Sequence, residues 1–158
     1  MDATTDRATF RVERAATIAA PPERVFAALA DFHEWVHWSP WEGIDANLQR
    51  TYTGPAAGVG AMYAWQGNRK VGAGSMEIID ADAPSNLGID LRFLKPFKAH
   101  NTTRFALRGV VDATEVTWTM TGPKTLMSRI MGIFMSMEKF VGRDFEKGLA
   151  QLKAHVES

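Results

Sequence analysis

The chain is predicted to fold as one α+β domain, a curved antiparallel sheet of about seven strands wrapped on a long C-terminal helix, with two short helices after the first strand. Three observations predict this. The middle of the chain alternates apolar and polar residues with period two between turn-forming pairs. The C-terminal end carries an apolar stripe at helical spacing. No repeat, low-complexity tract or linker divides the 158 residues, so residues 1–158 read as a single domain.

The elements follow in order. Residues 9–18 form a strand, with Phe10, Val12, Ala16 and Ile18 in one phase. Pro21, Pro22 and Glu23 open a helix that runs to about Asp31, because proline is tolerated in the first turn and a carboxylate suits the helix dipole there. A second short helix starts near His33 and must end before Pro40. Six strands are expected at 44–53, 60–66, 71–80, 86–95, 98–108 and 113–121, separated by turn chemistry such as Gly54-Pro55, Gly67-Asn68 and Lys95-Pro96. Leu87, Ile89, Leu91 and Phe93 share one face, as do Val116, Trp118 and Met120, which suits a sheet with one covered side. Asn101 and Thr103 fall in phase with Phe105 and Leu107, so they too are expected to point inward. Gly72 and Gly74 mark a bulge or bend. From Glu138 onward Val141, Phe145, Gly148, Leu149, Leu152 and Val156 form the helix stripe that should pack on the sheet.

Composition narrows the function. Lys plus Arg and Asp plus Glu are equal at 18 each, so no general field draws the chain to nucleic acid. No run reaches the ~18 apolar residues of a membrane span, so stable membrane insertion is not expected. The absence of cysteine excludes disulfides and thiol nucleophiles. The N-terminus lacks a signal-peptide design, which makes the cytoplasm the expected location and gives the sequon at Asn101 little meaning.

Four segments resemble a known superfamily. Ile18–Phe26 (IAAPPERVF), Trp35–Trp41 (WVHWSPW) and Phe145–Leu149 (FEKGL) are similar to START and birch-allergen-like (SRPBCC) proteins, and Gly58–Trp65 (GVGAMYAW) resembles their third strand. The bacterial polyketide cyclase/dehydrase-and-lipid-transport-like branch is the most similar. The resemblance spans nearly the whole chain and implies the helix-grip fold. It implies less about activity, because such proteins include lipid carriers, hormone receptors, cyclases and chaperone activators.

Several constellations invite chemistry. His33-Glu34-Trp35-Val36-His37 matches a zinc-hydrolase pattern, in which two histidines four apart on a helix bind metal. The stretch is too short and has no third ligand in a recognisable pattern, although Glu42 and Asp45 are near. Solvent-facing histidines are the expected outcome, and no metal or cofactor is implied. Trp35, Trp38 and Trp41 recur every three residues and either cap the sheet core or wall a pocket. Residues 126–137 hold four of the eight methionines; they are expected to be core or a lid, with a contact for a second subunit as an alternative.

Three functions stay open. The first is binding of a small apolar molecule, lipid- or polyketide-like, in a cavity between the sheet and the C-terminal helix. Its expected wall takes Trp38 and Trp41 from the tryptophan segment, and Tyr63, Trp65, Met76, Leu91 and Phe93 from the earlier strands. Phe105, Trp118 and Met120 come from the later strands, and Phe134, Met137 and Val141 from the C-terminal region. The second is a cyclase/dehydrase using the same cavity, with His37, Glu42 and Tyr63 as candidate acid–base groups. The third is a protein-interaction module acting through residues 124–137. A homodimer through that segment is compatible with the sequence, but no pattern requires it.

Overall fold

The computed structural model describes residues 9–95, 98–123 and 137–158. In order they form β1 (Thr9–Ile18), α1 (Pro22–Ala30), a 3-10 helix (Phe32–His37), β2 (Gln49–Thr53), β3 (Met62–Gln66), β4 (Ala73–Asp82), β5 (Asn86–Lys95), β6 (Ala99–Val110), β7 (Ala113–Pro123) and α2 (Met137–Glu157). The strands make one sheet in the order β1-β7-β6-β5-β4-β3-β2, antiparallel throughout. Strands β2 to β7 are a meander, and β1 pairs with the last of them. The chain must therefore cross from one sheet edge to the other between β1 and β2. It does so through α1 and the 3-10 helix, whose apolar residues Val25, Phe26, Leu29, Phe32 and Trp35 are buried in the core. The expected helix-grip architecture is the one observed.

Three strand starts differ from the sequence reading by two residues or more, each because a side chain or a glycine captures the backbone. The strand expected at 44–53 begins only at Gln49. Before it, the Asp45 carboxylate accepts from the Asn47 and Asn68 amides, both at 2.8 Å, holding this stretch as a turn. The strand expected from 60 begins at Met62, since Gly58 and Gly60 take φ of 80° and 94°. The strand expected at 71–80 lies at 73–82 instead. There Asn68 Oδ1 accepts from the Lys70 and Val71 amides, closing the preceding turn. The expected sheet irregularity falls between Ala73 and Gly74. A β-carbon at Gly74 would sit 2.6 Å from the Trp65 ring, so glycine here makes room for that indole. The second short helix is 3-10 rather than α, as its length allows. Residues 124–136, which carry most of the methionine-rich segment and Phe134, lie outside the described residues, as does the Met137 side chain.

The core is organised around Trp118. Its ring stacks on Phe145 of α2 with centroids 3.9 Å apart and planes inclined by 6°. Phe105 stacks on it at 4.9 Å, and Trp38 and Trp41 meet it edge-on at 5.7 and 5.9 Å. The indole nitrogen, which would be costly to bury unpaired, donates to Thr103 Oγ1 at 3.2 Å. One residue of β7 thus joins the sheet, the long helix and the tryptophan segment.

Gly148 makes this contact possible. A β-carbon there would lie 2.9 Å from both the Trp118 ring and Pro40 Cδ. Glycine normally weakens a helix interior, so its presence reflects the close approach of helix to indole. We predict that Gly148→Leu, despite a gain of up to ~1 kcal/mol in helix propensity, lowers unfolding free energy by about 1–3 kcal/mol through overpacking. Urea unfolding measures it, and a neutral or stabilised variant would show that α2 does not need this proximity.

Candidate ligand cavity

The long helix rests on β1 and, through Phe145, on Trp118. The concave face of β3 to β7 beyond that contact encloses a cavity of about 270 Å³. Alternation along the strands delivers its floor. Leu91 and Phe93 come from β5, Asn101 and Thr103 from β6, and Met120 from β7, each two residues from its neighbour on the same face. Tyr63 and Trp65 of β3 face the cavity in the same way, with Met76 of β4 paired opposite Tyr63. Trp41, Trp118 and Val141 complete the expected wall residues that reach the cavity.

Two expected wall residues do not reach it. Trp38 and Phe105 are fully buried one layer behind, packed edge-on to each other at 6.1 Å. The Trp38 indole donates instead to the Ala28 carbonyl at 3.1 Å, which ties the tryptophan segment to α1. Period-two phase assigns a side chain to a face of the sheet, but it does not say whether another ring will stand in front of it.

Other residues complete the lining, and of these Trp35 carried the expectation of capping the core or walling a pocket. Phe32 and Trp35 reach the cavity from the 3-10 helix, where a residue and the third one after it fall on the same side. Their aromatic character was the available signal. Tyr52, Leu48 and Val71 arrive from β2 and two loops, and no local pattern announces them. Asp144 appears on the polar face of α2 in sequence, yet it lines the cavity and accepts from Trp41 Nε1 at 3.2 Å. That bond ties the tryptophan segment to the helix at the cavity rim.

The acid–base candidates separate. His37 is exposed and stacks on His155 at 4.8 Å, away from the cavity lining. Glu42 lies at the rim and is ion-paired with Arg50, whose guanidinium this hydrogen bond holds further above its ordinary range. Tyr63 stands in the wall between Phe32 and Trp65, with ring centroids 6.0 and 6.1 Å away. Burial, followed by the negative charge of Glu42, pushes its phenol from 10.0 up to about 12. Tyr63 is therefore neutral at physiological pH and can donate a hydrogen bond, but it is a poor base. Tyr52 is raised as well, chiefly by burial.

The histidine pair does not converge. Residues four apart on a 3-10 helix are separated by about 120°, whereas on an α-helix they lie nearly in line. His33 Nδ1 meets Asp31 Oδ1 at 2.8 Å and its ring stacks on Tyr52 at 4.1 Å, while His37 turns to His155. Among the described residues no group of three or more His, Cys, Asp or Glu side chains is placed to hold a metal ion.

A seven-stranded antiparallel sheet with a long C-terminal helix packed against it matches the helix-grip fold of the SRPBCC superfamily. Residues 9–157 match the family model described as polyketide cyclase / dehydrase and lipid transport, and the chain belongs to that family. No curated protein matches the chain in sequence. Among solved structures, the Aha1 dimer from Colwellia psychrerythraea is similar, with a TM-score of 0.65 at 16% identity over 94% of this chain and 96% of that one. Ara h 8.0201 gives a TM-score of 0.63 at 10% identity, covering 94% of this chain and 97% of its own. DynU16, from the dynemicin biosynthetic locus, gives 0.64 at 16% identity over 94% of this chain, which spans 47% of DynU16. At these identities the likeness establishes the fold. Among the described residues no helix is long and apolar enough to cross a membrane.

The Tyr63 environment has a pH signature. A raised phenol pKa leaves stability intact below pH 10, where Tyr63 is neutral folded or unfolded, and stability then falls as pH rises towards about 12 because only the unfolded chain ionises freely. Tyr63→Phe is expected to flatten this alkaline decline, read from urea unfolding at successive pH values. An unchanged slope would mean that the phenol is not buried as described.

Proposed function

We propose that the protein binds a small hydrophobic molecule, lipid- or polyketide-like, in the cavity between the sheet and α2. The observation that carries this reading is the cavity itself: about 270 Å³, walled by Trp35, Trp65, Trp118 and Tyr63, with charged groups on the loops and helix at its rim. That volume lies at the lower edge of the roughly 300–1,000 Å³ typical of small-molecule sites, so the occupant has the size of a few fused rings or a short chain. Apolar walls with a few polar groups suit such a ligand, and the membership of a lipid-transport and cyclase family supports the same class.

A second reading uses the same cavity for ring closure or dehydration. The neutral Tyr63 phenol favours it, since a proton donor beside an apolar substrate is what such a step requires. In this reading Tyr63 is the acid, Glu42 and Arg50 order the rim, and His37 has no part.

Native mass spectrometry of the protein from its host, followed by denaturing release, is expected to reveal one apolar compound per chain. Val141→Trp, which places an indole where the helix borders the cavity, should abolish that occupancy in a folded protein. Undiminished occupancy in the variant would locate the ligand elsewhere. Conversion of the released compound by wild type but not by Tyr63→Phe would select the enzymatic reading.

A further inference from the structure

The floor of the cavity holds a polar group that the described residues do not satisfy. Asn101 is 5% exposed and lines the cavity. Its Nδ2 faces Met120 Sδ at 3.9 Å, a weak acceptor, and its Oδ1 is buried with no hydrogen-bond partner among the described residues. An unpaired amide in an apolar setting is destabilising, whereas leucine of similar shape would fit without that cost. The neighbouring polar residue does not relieve it. Thr103 Oγ1 is already engaged, accepting from Trp118 Nε1 at 3.2 Å and donating to the Thr119 carbonyl at 3.3 Å.

The surroundings accommodate this amide. A β-carbon on Gly122 of β7 would lie 2.1 Å from Asn101 Oδ1, so the side chain occupies space that only glycine leaves free. Among the described residues, the charged side chains bordering the cavity, Glu42, Lys70 and Asp144, belong to loops and to α2, whereas Asn101 is on the sheet. An anion brought to this floor would give up its hydration without a cation supplied by the strands around it.

We propose that Asn101 is the polar anchor of the cavity and that it selects a neutral ligand bearing a hydroxyl group on an apolar frame. A hydroxyl donates to Oδ1 and can also accept from Nδ2, so it suits the amide in either orientation. This rests on the cavity being a binding site and adds the chemical class of the molecule that occupies it. The same amide is the residue that discriminates between ligands of equal shape, because a partner lacking the hydroxyl leaves it unpaired.

The test compares 2-naphthol with 2-methylnaphthalene, which match in shape and differ in the hydroxyl. Equilibrium dialysis at neutral pH gives the affinity of each for the wild type and for Asn101→Leu. The preference for 2-naphthol over 2-methylnaphthalene is expected to be about tenfold greater in the wild type, the worth of one hydrogen bond in a closed site. The ligand-free variant should be at least as stable to heat as the wild type. If both compounds bind and the preference is the same in the two proteins, the anchor is overturned while the cavity reading stands. If the wild type binds neither compound, the cavity reading fails and the anchor with it. A marked loss of thermal stability in the variant would assign the amide a structural role and overturn the proposal. Should Asn101→Leu not fold, the wild type alone decides: the Asn101 side-chain amide resonance shifts more with 2-naphthol than with 2-methylnaphthalene, and equal shifts would overturn the proposal.

Discussion

The stacking of Trp118 on Phe145 is the contact on which the rest of the molecule depends. A curved sheet with one apolar face needs a partner, and a helix with one apolar stripe needs another. These two rings, with centroids 3.9 Å apart and nearly parallel planes, join the two apolar surfaces. Gly148 allows the approach, Pro40 closes over it, and the edges of Trp38 and Trp41 bring the crossing segment between β1 and β2 into the same cluster. Both the position of the helix and the existence of space beyond it follow from where this stack lies.

The same indole also serves as a wall of the cavity, so core and site share a residue. This sharing explains the distribution of polar groups. At the rim, the two carboxylates are paired or hydrogen-bonded: Glu42 with Arg50, and Asp144 with the Trp41 indole. On the floor, Thr103 is satisfied by serving Trp118, whereas Asn101 is left over. Among the described residues, polar groups with structural work are thus distinguishable from Asn101 by counting donors and acceptors rather than by distance from the helix.

Much of this was legible in the sequence. Seven strands, the opening helix and the closing helix follow from alternation, from Pro21-Pro22-Glu23 and from the stripe through Phe145 and Leu152. The inward phase of Asn101 and Thr103 was also readable, and both residues are buried. Depth was not. Trp38 and Trp41 look equivalent in sequence, yet one is sealed behind the wall with its indole bonded to the Ala28 carbonyl, and the other lines the cavity with its indole bonded to Asp144. Asp45 reads as a strand residue until its carboxylate is seen holding amides from two loops. Asp144 reads as solvated until Trp41 approaches from 103 residues away. Such assignments depend on partners remote in sequence, which no local period encodes.

The indoles around the cavity are pinned in place. Trp35 donates to the Leu29 carbonyl at 2.9 Å, Trp65 to that of Val71 at 3.0 Å, and Trp118 to Thr103. Beside these stiff plates the lining includes two thioether side chains, Met76 and Met120, whose unbranched chains change shape at little cost. The enclosure is therefore anisotropic, rigid where the rings are anchored and pliable where the methionines lie. Exchanges at positions 76 and 120 offer a lineage a way to retune what fits inside while leaving the scaffold untouched, whereas changes at the anchored rings would alter contents and container together.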